Sequence, residues 1–221
     1  MDNHKLLKRS FKQYDIVLRA VSKLQGEKKL IDVGSGDCLI KPLLPKNIKY
    51  YSADMYGDCD YKIDLNNKKI PARDNTFDIT VCLETLEHVF YPEKVIEELK
   101  RITKKDGLFI LSMPNEYNFW LRLNYLFAIK KPHTDSPFEV ISKLQHIHRP
   151  RVKDILSLFS KHFKIRKVFY IWQSRQCNDK GIVHSANKLI NLLAKIHPSL
   201  FARMVVVIAE NNQKQAKKQT S

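Results

Sequence analysis

Apolar positions along the chain recur at two alternating periods. Tyr14, Val17, Leu18, Val21 and Leu24 fall at helical spacing and predict an opening amphipathic helix, followed by the short strand pattern KLIDV. A second strand, IKYYSAD, comes about a turn and a helix later; TFDITVCLE reads as a third, and GLFILSMP, introduced by Gly107 after a helix, as a fourth. Between those two lies PEKVIEELKRITKKDG, where Pro92 suits a first helical turn and Val95, Ile96, Leu99 and Ile102 share one face. Further on, Val152, Ile155, Leu156 and Phe159 predict another helix, and FKIRKVFYIW and RMVVVIAEN two closing strands separated by the helical stretch SANKLINLLAKI. Strands alternating with helices predict an α/β fold, with a parallel sheet covered on both faces and right-handed crossovers.

From Asn115 to Pro150 the pattern breaks into an aromatic, proline-punctuated stretch, with a helix expected in NFWLRLNYLFAIKK and a loop in PHTDSPFE. No repeat or linker divides the chain, so a single domain over residues 1–212 is expected, followed by a disordered basic tail over 213–221. The first ten residues lack a signal-peptide core, and the longest late apolar run, MVVVIA, is too short to span a bilayer, which predicts a soluble cytoplasmic protein with no transmembrane segment. The four cysteines (Cys38, Cys59, Cys82 and Cys177) form no CxxC pair and are read as reduced, mostly buried thiols.

Charge separates the two halves. Of 39 Lys and Arg and 23 Asp and Glu, residues 1–110 hold 20 and 17, net +3, while residues 111–221 hold 19 and 6, net +13. An anionic counterpart to the second half is expected, whether an anionic small-molecule acceptor, a nucleic acid or an acidic membrane surface, the alternative being that the lysine excess serves solubility alone.

The chain has only six glycines, and LIDVGSGDCLI spends two of them, Gly34 and Gly36, directly after the first strand. A glycine turn there is the usual ligand cradle of an open α/β sheet. The dinucleotide fingerprint needs glycine at position 39, which is Leu39, and no phosphate-loop lysine is present. Instead, Asp32 precedes the turn and Asp54 ends the second strand eighteen positions after Gly36, where a carboxylate can accept both hydroxyls of a ribose. The pattern fits a small adenosine ligand better than a pyrophosphate.

With these motifs in order from Lys29 to Asn115, the chain resembles the class I S-adenosylmethionine (SAM)-dependent methyltransferases, in particular the broad type-11 group. LIDVGSGDC is similar to the first motif, YYSADMY to the ribose-binding strand end, and the block centred on FDITVCLETLEHV to the remaining core. The resemblance implies a Rossmann-like, doubly wound, mostly parallel seven-stranded sheet with helices on both faces, and SAM as cofactor. By the same resemblance Asp32, Gly34 and Gly36 would hold the methionine end, Asp54 and Met55 the ribose and adenine edge, Asp64 and Leu65 the adenine amino group, and Leu83 would line the site. Many members carry a third glycine where this chain has Cys38. Residues 115–150 would form an insertion covering the substrate, with Tyr117, Trp120, Tyr125, His133, His146, His148 and Arg149 as candidate contacts.

Methyl transfer from a sulfonium needs alignment and desolvation, and a base only for a protonated nucleophile. His88 is the candidate catalytic base. Glu84, Glu87 and His88, at i, i+3 and i+4, would share one face of a helical turn and with His146 or His148 could hold a divalent metal, as similar segments do in ubiquinone-biosynthesis and small-RNA methyltransferases. The expected reaction is O-methylation of a small acceptor: a quinone precursor, a glycan or a lipid-linked intermediate. An RNA 2′-O-methyltransferase with a metal-assisted site and a non-catalytic basic binding domain are the alternatives. Leu189, Leu192, Leu193 and Ile196 lie on one helical face, which predicts either packing on the sheet or contact with an anionic membrane surface.

Overall fold

Every predicted strand forms, and the strands pair in the order β3-β2-β1-β4-β5-β7-β6. The computed structural model describes residues 12–128, 146–172 and 181–211, with side chains throughout except at 181–184. Strands β1 (Lys28–Val33), β2 (Ile48–Asp54), β3 (Tyr61–Lys62), β4 (Phe77–Leu83) and β5 (Thr103–Pro114) run parallel to their neighbours, whereas β7 (Met204–Asn211) pairs antiparallel with both β5 and β6 (Phe163–Ile171). Reversal of β7 has a consequence for function. The register Pro114↔Met204 and Ile171↔Met204 brings the start of β7 to the rim where all the parallel strands end.

Side chains alternate across each strand, and the alternation sorts the core into two layers. Leu30 of β1 joins Ile79, Val81, Ile110 and Val206 under helix α1 (Lys12–Val21), which contributes Val17 and Val21. Ile31 faces the other way, with Phe77, Phe109, Phe163 and Val207, under α2 (Pro92–Ile102) and α4 (Val152–His162). Helix α2 buries Val95, Ile96, Leu99 and Ile102, the face predicted from the sequence. Helix α3 (Phe119–Leu126) follows β5, and α5 (Gly181–Ile196) and the short α6 (Pro198–Phe201) lead into β7.

Four expectations are revised. Gly107 does not stop α2: the helix ends at Ile102, β5 begins at Thr103, and Gly107 lies within the strand, where a Cβ would collide with the Thr103 side chain. No α-helix joins β1 to β2; Pro42 and Pro45 punctuate a series of turns that includes only a 3-10 turn at Lys41–Leu43. Of the three described cysteines, Cys82 is buried but Cys38 and Cys59 are only half-buried, and Cys177 lies outside the described residues. Along α5, Leu189, Leu192 and Ile196 are exposed while Ala194 is buried and Leu193 half-buried, so only part of the apolar stripe packs. Among the described residues no helix is long and apolar enough to cross a membrane. The 213–221 tail, the PHTDSPFE loop and His133 fall outside the described residues.

At the end of the sheet away from the rim, Arg101 clamps the segment entering β4. Its guanidinium donates to the carbonyls of Ile70 (3.0 Å) and Ala72 (2.8 Å) and to the carboxylates of Asp74 (2.6 Å) and Glu98 (2.7 and 2.8 Å), while Glu98 also accepts the Ile70 amide at 2.7 Å. Glu98 is nearly buried, so removing the cation leaves a charge without its partner. R101M is expected to destabilise the fold by about 3 kcal/mol in urea unfolding while SAM affinity is unchanged.

Candidate functional site

The tips of β1, β2, β4 and β5 and the start of β7 surround one rim of the sheet. Beyond Val33 the chain turns through Gly34 (φ +75°) and Gly36 (φ +50°), both in the left-handed region that glycine enters at little cost. The two glycines have different reasons. A Cβ at Gly34 would overlap the Thr85 side chain, whereas a Cβ at Gly36 would meet nothing within 4 Å. Gly34 is therefore required by packing, and Gly36 leaves open the space that a ligand needs. Cys38, two positions after Gly36, also holds a left-handed φ of +52°.

Asp54 ends β2 and closes the turn: one carboxylate oxygen accepts the Gly36 amide at 2.8 Å and the other the Tyr56 amide at 2.9 Å. Each oxygen keeps a second lone pair for a ribose hydroxyl. Leu39, Met55 and Tyr56 present exposed apolar surface on these same turns. Asp64 is committed to its own loop, accepting the Asn66 amide (2.9 Å) and the Asn67 side-chain amide (2.6 Å). Asn66 in turn accepts the Phe90 amide at 2.7 Å, which ties this loop to the segment after β4. Leu65 packs against the core on the α2 side and Leu83 against that on the α1 side.

Asp32 is buried and accepts a hydrogen bond from the Tyr50 hydroxyl at 3.0 Å. Burial, reinforced by the charge of Asp54 and only partly offset by Tyr50, raises its carboxyl to about 7. Tyr14 of α1 lies near enough that burial and the charges of Asp32 and Glu84 push its phenol up to about 12. Neither tyrosine was singled out for the cofactor site in the sequence; both are partly buried against the core layer under α1.

On the other side of Thr85, the segment Glu84–His88 does not form the helical turn that its spacing suggested. Glu84 has a φ of +49°, and only Leu86–His88 make a single 3-10 turn, so Glu84 and Glu87 point to different places. Glu84 lines a recess of about 130 Å³ together with Asn115, Glu116, Asn118, His146 and Arg203, over an apolar wall of Leu121, Ile171 and Met204. Glu84 is exposed by surface area, yet the protein atoms crowding its carboxyl in the recess raise it, against the pull of His146 and Arg203. Glu87 is fully buried, and that burial, with the charges of Glu84 and Glu116, raises its carboxyl well above the usual range. His88, the expected base, sets its ring edge-to-face on His146, with centroids 4.9 Å apart. Glu87, His88 and His146 bring one ligand atom each within 4.8 Å of one another; Glu84 and His148 are not in that group, and the His148 Nε2 lies 2.9 Å from the Val89 carbonyl. Glu116, Asn118 and Arg203, which sequence reasoning passed over, come to this rim through the end of β5 and the antiparallel β7.

A family profile described as Methyltransferase domain matches residues 4–195. The chain belongs to that family. A SAM-dependent methyltransferase from Aquifex aeolicus has the same fold, with a TM-score of 0.54 and 17% identity over 96% of this chain and 100% of that one. One from Archaeoglobus fulgidus superimposes with a TM-score of 0.56 at 14% identity, covering 90% of this chain and 92% of that one. An uncharacterized protein of Methanocaldococcus jannaschii is 42% identical over 55 residues, a stretch that makes up 25% of this chain and 24% of that protein. This methyltransferase takes SAM as its cofactor, and the rim fits it: Gly36 leaves space, Asp54 offers lone pairs and Asp32 faces the turn with a carboxyl that can charge.

Two outcomes follow. G34A is expected to lower the melting temperature strongly because the Thr85 side chain, held at the Val33 and Leu83 carbonyls, occupies the space of the new methyl group. G36A should cost only the roughly 1–2 kcal/mol of a left-handed alanine yet weaken SAM binding in calorimetry by a larger factor than G34A does in whatever protein remains folded. The second concerns pH. A folded carboxyl at about 7, above its unfolded value, adds stability at low pH that is lost as pH rises through 7. Because the cationic sulfonium favours ionised Asp32, SAM affinity should rise with pH through 7, and this component should vanish in D32N.

Proposed function

We propose that the enzyme transfers the SAM methyl group to a hydroxyl oxygen of a small polar acceptor held in the recess beside Glu84. The observation that carries this reading is the lining: Glu84, Asn115, Glu116, Asn118, His146 and Arg203 converge on about 130 Å³ at the same rim as the glycine turn. Two carboxylates balanced by an arginine and a histidine suit an uncharged or singly charged acceptor, and the small volume suits one ring or chain end. The acceptor oxygen attacks the methyl carbon in line, the carbon–sulfur bond breaks with its electron pair returning to sulfur, and the hydroxyl proton passes to the Glu84 carboxylate. His146 lines the recess directly; His88 stands behind it. The amide of Glu84 donates to the Ser112 hydroxyl at 3.1 Å, and its carboxylate accepts from Gln13 at 3.3 Å, so its direction is fixed from both sides.

The test is methyl transfer from labelled SAM to a panel of small hydroxyl and amine compounds and to RNA, at two salt concentrations. The expected result is turnover on hydroxyl compounds with a shallow salt response, and a fall in kcat/KM on the order of a hundredfold in E84Q with SAM affinity unchanged. Turnover confined to RNA, with the steep salt dependence of phosphate contacts, or confined to amines, overturns the reading.

A further inference from the structure

Helix α5 is turned the wrong way round for a helix that covers a sheet. Leu189, Leu192 and Ile196 fall at i, i+3 and i+7 on one face, yet they are 53–58% exposed. The buried contact is made from the opposite side by Ala194, with Asn187 and Asn191 half-buried beside it. An amphipathic helix ordinarily buries its leucine stripe and shows its polar residues to water. Here the leucines face outward and the asparagines inward.

A second exposed apolar surface lies on α3. Trp120 and Phe127, at i and i+7, and Leu126 are each more than half exposed, while Leu121 of the same helix turns inward as part of the recess wall. Helix α6 joins the two surfaces. Its Phe201 stacks on Phe119 of α3 with ring centroids 6.2 Å apart, and it follows α5 after His197 alone, whose amide donates to the Leu193 carbonyl at 2.7 Å. The side chain of Asn115, which lines the recess, donates to the carbonyls of Ser199 (3.2 Å) and Ala202 (2.7 Å) and so holds α6 to the rim. Apolar side chains gathered on linked helices mark an interaction surface, where single exposed leucines would not.

Charge decides what covers it. Helices α3, α5 and α6 contain no Asp or Glu, whereas Arg122, Lys188 and Lys195 are exposed on them, the two lysines along one flank of the α5 stripe. A second copy of the chain seated on this face would set these bases against one another with no acid on the three helices to answer them. A nucleic acid would answer the bases but gives Leu189, Leu192 and Ile196 nothing to bury against, since its bases stack on rings. We propose that this face of α3 and α5 rests on an anionic lipid bilayer, with the apolar side chains entering the headgroup region and the lysines meeting anionic headgroups. The recess then lies next to the bilayer, because Asn118, which lines it, caps α3 and Asn115 holds α6. This surface does not depend on which acceptor the recess takes.

The test is sedimentation of the full chain with vesicles of phosphatidylcholine alone and of equal parts phosphatidylcholine and phosphatidylglycerol. Expected is saturable binding to the anionic vesicles that falls as salt rises, with little binding to the neutral ones. K188Q/K195Q should weaken that binding on the order of twentyfold, roughly fivefold for each charge lost, and L189Q/L192Q/I196Q by about tenfold or more. Both variants should keep the wild-type melting temperature and SAM affinity. Absence of sedimentation with anionic vesicles at low salt overturns the proposal. Equal binding by wild type and the triple variant does so too, because the contact then lies elsewhere on the basic surface. A triple variant that melts well below wild type, or fails to fold, also overturns it, since the stripe is then packed within the protein. So does a wild-type protein that is dimeric in solution and becomes monomeric in the triple variant.

Discussion

The site hangs on the contact between Thr85 and Gly34. Thr85 follows β4 by two residues, and its side chain occupies the volume that a Cβ on Gly34 would need. Its hydroxyl donates to the Leu83 carbonyl at 3.0 Å and reaches the Val33 carbonyl at 3.3 Å, so the ends of β1 and β4 are joined beyond the last ladder hydrogen bonds. On one side of this join the chain opens into the glycine turn and Asp54; on the other it runs to Glu84, Glu87 and His88. The glycine turn and the recess beside Glu84 thus keep their spacing through one threonine, and only glycine at position 34 lets it seat.

The join also explains the strain around it. For Thr85 to drop onto Gly34, the chain must turn sharply at the end of β4, and Glu84 takes a φ of +49° to do so. A non-glycine residue there costs about 1–2 kcal/mol, a cost that persists only where surrounding structure determines it. The Ser112 hydroxyl and Gln13 hold Glu84 on either side, and the strands beneath, with Ile79, Val81 and Ile110 fully buried, do not yield. The same turn sends Glu84 outward to the recess and Glu87 inward. Two glutamates three residues apart therefore acquire different surroundings from one backbone constraint.

That constraint marks the boundary of what could be read from the sequence. Apolar periodicity carried β2 to its observed ends, Ile48 and Asp54, and the buried face of α2 residue by residue, because burial on a sheet or helix face leaves a mark at every second or third position. The glycine turn and Asp54 were legible for a related reason: few residue types can occupy those positions. Periodicity could not show that Glu84–His88 abandons helical geometry, since its i, i+3, i+4 spacing is satisfied on paper by a helix and broken in fact by one left-handed residue. Nor could it pair His146 with Glu87, a contact made through main-chain bonds between segments some sixty residues apart. Gly107 misled for the opposite reason. Glycine after a lysine-rich helix looks like a stop signal, and only the Thr103 side chain against it shows that packing within β5 is what excludes a larger residue.

Net charge was a poorer guide to the site than to the surface. The protein carries +16, yet Asp32, Asp54, Glu84 and Glu116 gather at one rim, faced by Arg203 and His146. Charges on opposite faces of a protein this size are separated by more than a Debye length at physiological salt, so the basic exterior does little to cancel the local field. A rim of carboxylates is a reasonable host for a sulfonium, and the more so because the reaction removes that charge. Once the methyl group has left, the sulfur is neutral, so a carboxylate placed as Asp32 is, beside the glycine turn, would hold the demethylated form less than the sulfonium. A carboxylate so placed would serve binding and release alike.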